Sequence, residues 1–462
     1  MSAAVLDLTA VTAADAAAVG GKAANLGEMV AADFPVPPGF VVPAASYLDA
    51  MDTAGVRAEL AALHERTLAA ADDPAALTEL CARMAELVRK AGTSAPLAEQ
   101  IRAAYRRLCD GAGDGTGGGT GTEVATAVRS SAVGEDAADA SFAGMNASFT
   151  NVRGGDEVVR KVDECWASLV GPRVVAYRAA RGMTREPAIA VVVQVMVASE
   201  RAGVAFTADP RTGARDVVVV EAALGQGEVV VSGAVEPDTY EVAADALEVR
   251  AARIGRQSHE IVRGPDGTDL TVTLDVDRGA ARVLSDPEVL DIARLALRVQ
   301  EHYGVPQDVE WAIDGDGLWL VQTRPITTLR PEGAGQTGGA ASGAGGTGPQ
   351  GDGAPLVRGI AATAGRVAGR VRVLHDPADG AALESGEVLV APMTNPDWLP
   401  TMRRAAAVVT DSGGTTCHAA IAARELGVPC VVGTHSATEV LRTGQVVTVD
   451  GALGEVLDGD RT

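Results

Sequence analysis

A glycine-rich segment constrains the fold of this chain more than any other feature. Residues 331–354 read PEGAGQTGGAASGAGGTGPQGDGA, with ten glycines in 24 positions and no apolar periodicity. This composition predicts a flexible linker with a root-mean-square span of roughly 25–30 Å. The parts of the chain on either side could therefore move relative to each other over domain-sized distances. A shorter glycine-rich stretch at 111–123 is predicted to be a surface loop.

Length and charge limit the classes of function. The 462 residues suffice for two to four domains, at roughly 100–200 residues per domain. The net charge of −22 argues against sequence-independent nucleic-acid binding and against docking on anionic membranes. We expect no membrane span, because no apolar run reaches about 18 residues. The N-terminus carries acids where a signal peptide would carry basic residues, so we expect a cytoplasmic protein.

The cysteines and histidines show no metal-binding or disulfide pattern. Five cysteines form no CxxC pair, and six histidines form no HxxxH or HxH pattern. We therefore expect reduced, mostly structural cysteines and no zinc site.

Hydrophobic periodicity predicts helices before the linker and short strands on both sides of it. Residues 46–110 have helical periodicity, and further helices are expected at 288–302 and about 417–426. The first of these follows Ser285 and Pro287, which form a helix-start signal. Strands are expected at 189–197, 203–207, 216–221, 229–232, 366–374, 388–391, around 431–432 and at 445–450, and a β-hairpin at 308–325.

The predicted hairpin carries a polar face. If the loop is Gly315–Asp316–Gly317, Glu310 lies opposite Gln322, and period-2 alternation puts Arg324 on the same face. Asp308 shares that face, while Trp311, Ile313, Trp319 and Val321 are expected to fill the other. Carboxylate and amide oxygens suit Mg²⁺, and a guanidinium suits a phosphoryl group. From the residues alone, the same pattern also fits the solvent face of an edge hairpin.

Two further segments carry features that favour anions. In VGGKAANLGEM, Lys22 follows two glycines at the start of a helix, although no Walker A sequence is present. In AVRSSAVGED, a strand ends in Arg129 and a loop rich in serine and glycine follows, whose backbone N–H groups could hold phosphates. Each segment alone is also compatible with an ordinary helix start or loop.

A histidine near the C-terminus is a candidate nucleophile. Gly413 and Gly414 turn the chain out of a strand, and Thr415 or Thr416 can cap the following helix. His418 then lies in the first turn, where a cation is disfavoured, so the imidazole should stay neutral. Neutral imidazole is a nucleophile, and Thr416 can orient its ring. A structural role for the histidine is the alternative.

Together these segments resemble a known family of phosphotransferases. The segments that carry the likeness, in the family's order, are VGGKAANLGEM, AVRSSAVGEDAADASFAGMNASFTNVRG, GVAFTADPRTG, EAALGQGEVVVSGAVEPD, DVEWAID with LWLVQTRPI, NPDWLPTM, and GGTTCHAAIAARELGVPCVVG. They resemble phosphoenolpyruvate synthase (pyruvate, water dikinase), pyruvate phosphate dikinase and rifampicin phosphotransferase. The likeness covers nearly the whole chain outside the glycine-rich stretches.

The resemblance implies a multidomain chain of the α/β and α+β classes. It implies an ATP-grasp nucleotide-binding domain at 1–330, joined by the flexible linker at 331–354 to a swivelling β/β/α phosphohistidine domain at 355–462. It also implies that ATP and Mg²⁺ are bound, with Asp308, Glu310 and Gln322 as candidate metal ligands. The ATP-binding residues that it implies are Lys22, Arg129, Gly144, Ser148, Gln194, Glu310, Gln322 and Arg324.

The resemblance further implies the chemistry. His418, assisted by Thr416, would attack the β-phosphorus of ATP, release AMP and later pass a phosphoryl group to an acceptor. We expect neither the pyruvate-binding barrel that follows the histidine domain in phosphoenolpyruvate synthase nor the drug-binding domain that precedes it in rifampicin phosphotransferase. We therefore expect the acceptor to be of the pyruvate type on a separate barrel chain, or a small natural product or antibiotic. Two alternatives are an ATP-dependent ligase that activates an acid or hydroxyl, and a regulatory phosphocarrier.

Overall fold

The computed structural model describes residues 5–70, 73–111, 123–132, 147–180, 182–184, 186–210, 212–264, 267–326, 354–415 and 417–461. The predicted linker at 331–354 and the predicted loop at 111–123 lie outside these residues, except at their edges. Within the described residues, none of the helices combines the length and the apolar composition that a bilayer-spanning helix requires.

The elements alternate between helices and strands along the chain. The helices are α1 Ala16–Ala31, α2 Ala44–Thr53, α3 Arg57–Ala69, α4 Pro74–Ala91, α5 Ala95–Gly111, α6 Gly155–Ser168, α7 Pro172–Ala180, α8 Glu228–Val231, α9 Val276–Gly279, α10 Asp286–Tyr303, α11 Leu399–Met402, α12 His418–Leu426 and α13 Ala437–Val440. The strands are β1 Leu6–Asp7, β2 Gly39–Val42, β3 Thr126–Ala132, β4 Ser148–Val152, β5 Ile189–Val195, β6 Arg201–Phe206, β7 Val217–Leu224, β8 Asp238–Ala243, β9 Glu248–Arg253, β10 His259–Arg263, β11 Asp269–Thr273, β12 Gln307–Asp314, β13 Gly317–Pro325, β14 Val357–Arg358, β15 Ile360–Thr363, β16 Arg366–Val373, β17 Val388–Ala391, β18 Ala407–Thr410, β19 Cys430–Val432, β20 Val446–Asp450 and β21 Glu455–Asp458.

The chain divides into two compact units. The first comprises residues 1–198, 262–270 and 309–324, and the second comprises 199–261, 271–308 and 325–462. This mixed α/β, multidomain organisation agrees with the predicted fold class. The predicted boundaries at residues 330 and 355 remain predictions.

An antiparallel sheet organises the first unit. Its strand order is β1-β2-β5-β3-β4. Alternate side chains of β5 separate two cores, because successive residues of a strand point to opposite faces. Val192 packs with Val19 and Leu26 of α1, whereas Val191 and Val193 pack with the helical layer. The sheet therefore holds α1 on one face and the predicted helical region on the other.

The second unit contains an antiparallel meander and a larger sheet. Strands β6, β7, β8 and β9 pair in sequence order, and α10 lies against them. The larger sheet has the order β14-β21-β20-β16-β17-β18-β19-β15, with β16, β17, β18 and β19 parallel. These central strands have apolar sequences such as VLVA because both of their faces are covered.

Several predicted elements are confirmed, with small shifts at their ends. Strand β17 has the predicted bounds, and α10 begins at a capping box formed by Ser285 and Glu288. The strand predicted at 229–232 is wrong, because residues 228–231 form the helix α8. Gly225, at φ 77°, turns the chain before this apolar run, and Val229 and Val230 pack inward from the helical turn.

The predicted hairpin is present with a shorter turn than expected. Strand β12 ends at Asp314 and β13 begins at Gly317, so two residues rather than three connect them. Asp314 Oδ1 accepts hydrogen bonds from the backbone N–H groups of Asp316 and Gly317 and, at 3.0 Å, from the indole N–H of Trp319. This contact holds Trp319 half-buried beside the turn instead of in the core.

The two strands of the hairpin are buried in different ways. Trp311 and Ile313 of β12 are buried as predicted. On β13, Val321 is half-buried, contrary to the prediction, while Leu320 and Gln322 are buried. The predicted opposition of Glu310 and Gln322 remains a prediction.

Candidate functional site

Lys22 is placed by a break inside α1. Gly20 has φ 76° and ψ 162°, so the helix restarts just before Lys22. A Cβ atom on Gly20 would lie 2.4 Å from the carbonyl oxygen of Ser131, so only glycine lets α1 approach β3 this closely. Ser131 Oγ accepts a hydrogen bond from the N–H of Ala23 at 3.1 Å and caps the restarted helix. The predicted Lys at a helix start is therefore observed, although it is built by a kink.

Lys22 and Arg129 are connected through β3. Lys22 Nζ donates a hydrogen bond to the carbonyl oxygen of Ser130, at 2.8 Å, and Ser130 follows Arg129 in β3. Arg129 Nη2 in turn lies 3.3 Å from Glu310 Oε2, and both side chains are largely buried. The structure thus connects α1 to β3, and β3 to β12 of the hairpin.

Asn25 makes a third connection, one that the sequence reasoning did not assign. Its Nδ2 donates a hydrogen bond to the carbonyl oxygen of Thr323, at 3.2 Å, and so ties α1 to β13. Thr323 lies between Gln322 and Arg324, two of the residues predicted to bind ATP. The only sequence signal was the position of Asn25 in α1, three residues after Lys22.

Gln322 carries a polar atom that fits a ligand. Its side chain is 9% exposed, and Oε1 has no hydrogen-bond partner among the described residues. A buried unpaired acceptor costs about 1–3 kcal/mol, which is unusual unless a water, ion or substrate satisfies it. No group of three or more His, Cys, Asp or Glu side chains in the described part of the chain could hold a metal, but that donor set does not include an amide oxygen.

The other residues predicted to bind ATP or Mg²⁺ have positions that do not by themselves indicate a ligand. Ser148 is exposed on β4 and pairs with Arg129 across the sheet. Gln194 is 2% exposed, and its Nε2 donates to the carbonyl oxygen of Pro37 at 3.3 Å. Arg324 is half-buried on β13, and Asp308 is buried at the start of β12. Gly144 lies outside the described residues.

His418 is the first residue of α12 in the second unit. Cys417, in an extended conformation, is the N-cap residue, so the predicted capping role of Thr415 is wrong. Thr415 is drawn away from the helix because its N–H and O–H both bond to Glu221. Thr416 lies outside the described residues. The predicted end of the helix is confirmed, since Gly427 adopts the left-handed conformation at φ 68°.

Thr394 is a contact of the histidine that the sequence reasoning missed. Its Oγ1 lies 3.0 Å from Nδ1 of His418. Thr394 precedes NPDWLPTM, a segment that carries the family likeness, and this proximity in sequence was the available signal. The hydroxyl can therefore fix the orientation of the imidazole ring.

Cys417, the residue before His418, is expected to be an unreactive thiol. Burial raises the pKa of Cys417 to about 11. The thiol is therefore protonated near neutral pH and is a poor competitor of the imidazole as a nucleophile.

Comparison with known families places these residues in context. Residues 16–340, more than two thirds of the chain, match the family described as pyruvate phosphate dikinase, AMP/ATP-binding domain. The chain belongs to this family. Residues 383–454, which include His418, match a second family described as PEP-utilising enzyme, mobile domain. One dikinase-family chain thus contains both candidate segments.

Curated relatives match nearly the whole of this dikinase-family chain. A probable phosphoenolpyruvate synthase of Archaeoglobus fulgidus is 42% identical over 456 residues, which cover 98% of this chain and 58% of that protein. The phosphoenolpyruvate synthase of Pyrococcus furiosus is 38% identical over 484 residues, which cover 96% of this chain and 57% of that protein. The chain therefore spans somewhat more than half the length of these relatives.

Proposed function

We propose that the chain is an ATP-dependent, AMP-forming phosphotransferase of the dikinase type that phosphorylates its own His418. The observation that carries the proposal is that one chain contains both the candidate nucleotide-binding residues and the candidate phosphorylated histidine. In the segment that matches the AMP/ATP-binding family, hydrogen bonds connect Lys22 to β3 and Arg129 of β3 to Glu310. In the segment that matches the mobile-domain family, His418 begins a helix and lies beside the hydroxyl of Thr394. Relatives named phosphoenolpyruvate synthase support this over a ligase or a regulatory phosphocarrier.

The residues of the first unit would bind the nucleotide. Lys22 and Arg129 supply positive charge for the phosphates, and Arg324 would contact a phosphoryl group. Gln194 would lie near the adenine, and Ser148 and Gly144 would line the phosphate loop. We assign this part of the chain, residues 1–330, to an ATP-grasp domain.

Glu310 and Gln322 would hold Mg²⁺, with Asp308 as a further candidate ligand. The unpaired Oε1 of Gln322 and the carboxylate of Glu310 are the hard oxygen ligands that this ion prefers. A bound Mg²⁺ would neutralise charge on the phosphates.

His418 would perform the transfer in three steps. A proton on Nδ1, donated to Oγ1 of Thr394, would leave the lone pair on Nε2. Nε2 would bond to the β-phosphorus of ATP while the bond from that phosphorus to the α-phosphate oxygen breaks, and AMP would leave with the electron pair. The terminal phosphate would be lost to water or to inorganic phosphate. The remaining phosphoryl group would pass to the acceptor.

Two classes of acceptor fit this chemistry. One is a pyruvate-type acid bound by a separate barrel chain, and the other is a small natural product or antibiotic. In both cases the histidine domain, residues 355–462, must leave the nucleotide, and a flexible linker at 331–354 would permit that movement. ATP as substrate and free, mostly buried cysteines favour a cytoplasmic location.

Product analysis tests the proposal. Purified chain is incubated with MgATP labelled at the β-phosphate, and the nucleotides and the protein-bound label are then measured. We expect AMP and an acid-labile label that His418→Ala abolishes. Stoichiometric ADP, with a stable label transferred from the γ-phosphate, would contradict the dikinase mechanism.

A further inference from the structure

Glu221 is a fully buried carboxylate that the proposed chemistry does not use. It lies on β7, inside the AMP/ATP-binding match, and its exposed fraction is 0%. Its Oε1 accepts a hydrogen bond from the backbone N–H of Thr415, at 3.2 Å, and another from the hydroxyl of Thr415. Thr415 lies in the mobile-domain match, three residues before His418. Both residues belong to the second unit.

Thr415 is held from its other side as well. Its carbonyl oxygen accepts a hydrogen bond from Arg424 of α12, and Arg424 Nε also donates to the carbonyl oxygen of Ala362, at 3.0 Å. All three polar groups of Thr415 are therefore engaged. Hydrogen bonds thus connect α12 to Thr415 and Thr415 to Glu221, so Thr415, three residues before His418, is fixed to β7.

The backbones approach closely around this contact. A Cβ atom on Gly233, which has φ 73°, would lie 2.6 Å from Cβ of Cys417. A Cβ atom on Gly414 would lie 3.0 Å from Cγ of Pro237. Both glycines therefore permit a separation that a side chain would prevent. At the rim, Nε2 of His435 lies 3.4 Å from Oε2 of Glu236.

The chemistry of this interface suits a contact that forms and breaks. When it opens, Glu221 and Thr415 exchange their mutual hydrogen bonds for bonds to water, so the net cost is modest. When the contact closes, burying the carboxylate of Glu221 without hydrogen-bond donors would cost free energy. The contact therefore closes favourably only when Thr415 lies opposite Glu221. A large apolar patch would instead favour permanent closure.

We propose that Glu221 is a positioning residue that docks Thr415 on the AMP/ATP-binding domain and so holds His418 where it accepts the phosphoryl group. The proposal rests on the function proposed above, in which His418 must alternate between nucleotide and acceptor. In this role Glu221 need not contact the nucleotide or the reacting atoms. It acts through Thr415.

Three variants test this role against a matched control. Glu221→Ala removes the acceptor, Glu221→Gln keeps an oxygen acceptor without the charge, and Thr415→Val removes the hydroxyl but keeps the backbone N–H. Glu248→Gln, at an exposed position on β9 of the same meander, is the control. Circular dichroism and thermal melting establish that each variant is folded.

The kinetic measurement is the rate of His418 labelling from β-labelled ATP, with ATP affinity measured separately. We expect Glu221→Ala to lower the labelling rate at saturating MgATP by roughly ten- to a hundredfold, as expected for the loss of hydrogen bonds to a charged group. ATP affinity should change by less than about threefold, because the nucleotide residues are untouched. Glu221→Gln and Thr415→Val should lie between this variant and the wild type, and Glu248→Gln should match the wild type.

Hydrogen exchange provides a readout that needs no chemistry. The N–H of Thr415 donates to Glu221, so peptides covering 413–417 should exchange faster in Glu221→Ala than in the wild type and the control. Wild-type labelling and exchange rates in Glu221→Ala would overturn the proposal, as would faster labelling. If the wild-type chain itself takes no β-label, the proposed function fails, and unchanged exchange in Glu221→Ala would then separately refute the docking contact.

Discussion

Oγ1 of Thr394 lies 3.0 Å from Nδ1 of His418, across 24 positions of sequence. A hydrogen bond at Nδ1 can set both the orientation and the tautomer of an imidazole ring. In the proposed mechanism, a proton on Nδ1 keeps the lone pair on Nε2, where the nucleophile is needed. Thr394 would then support the first step of the reaction without contacting the nucleotide.

Removing this hydroxyl should slow the labelling of His418. We expect Thr394→Val to lower the rate roughly tenfold, which corresponds to the loss of one hydrogen bond of about 1.4 kcal/mol. Thr394→Ser keeps the hydroxyl and should retain most of the rate. The measurement is single-turnover labelling from β-labelled ATP. Equal rates for the valine and serine variants would show that the contact has no part in the reaction.

The close approach of Gly20 to Ser131 should make this position intolerant of any side chain. We expect Gly20→Ala to destabilise the first unit by about 3 kcal/mol or more, because the added Cβ meets backbone oxygen and because φ is 76°. The measurement is the midpoint of thermal or urea unfolding.

Gly55 is a matched control for this effect. It has φ 71° in the same unit, but a Cβ atom added there would have no atom of the described residues within 4 Å. Gly55→Ala should therefore cost only the conformational penalty, about 1–2 kcal/mol. If both substitutions have the same small effect, α1 does not depend on the close approach at Gly20.

Structural features that depend on neighbouring residues could be predicted from the sequence, whereas contacts between distant residues could not. The bounds of β17, the start of α10 after Ser285 and the end of α12 before Gly427 follow from short patterns, and they were predicted. The run at 229–232 was misassigned, because a short apolar helical turn and a short buried strand can share the same composition.

Contacts in the candidate site depend on tertiary structure that no local pattern encodes. Thr415 or Thr416 was expected to cap α12, but Thr415 is bound by Glu221, 194 residues away. Asn25 reaches a carbonyl 298 residues away, at Thr323. Local patterns singled out Lys22, Arg129 and His418, and the family likeness implied their roles. The side chains that connect these residues became evident only in the structure.

A half-buried carboxyl on α6, that of Asp163, should make the stability of the first unit depend on pH. Burial raises the pKa of Asp163 from 3.8 to about 6, and its Oδ1 has no hydrogen-bond partner among the described residues. The folded state therefore favours the protonated carboxyl. Its contribution to stability is fully present below about pH 4 and is lost as the pH rises through 6.

Asp163→Asn should remove this dependence. At pH 7 we expect the variant to be more stable than the wild type by on the order of 1–3 kcal/mol, and the difference should vanish near pH 4. The measurement is urea unfolding of both proteins between pH 4 and 7.5. Glu79→Gln, at an exposed position on α4, is the control and should change stability little. A difference that does not vary with pH would contradict the assignment.

Arg129 and His418 should separate nucleotide binding from covalent transfer. Arg129→Ala removes a largely buried cation that contacts Glu310, so both ATP affinity and labelling should fall, by roughly tenfold or more in affinity. His418→Ala should bind ATP as the wild type does and take no label. If His418→Ala retains acid-labile label, another residue carries the phosphoryl group.

A substitution at Gln322 should have opposite effects on stability and on the Mg²⁺ requirement of the reaction. Its Oε1 is buried and has no partner among the described residues, so replacing the amide by an apolar side chain of similar length removes a penalty of about 1–3 kcal/mol. We therefore expect Gln322→Met to be at least as stable as the wild type in the absence of ligand. If Gln322 helps to hold Mg²⁺, the same variant should need several-fold more Mg²⁺ for half-maximal labelling of His418.

Gln322→Glu restores an oxygen ligand and should recover part of the Mg²⁺ affinity. Thermal unfolding without nucleotide and labelling across a Mg²⁺ titration measure the two quantities. A methionine variant that is destabilised, with an unchanged Mg²⁺ requirement, would show that Gln322 has a structural role instead.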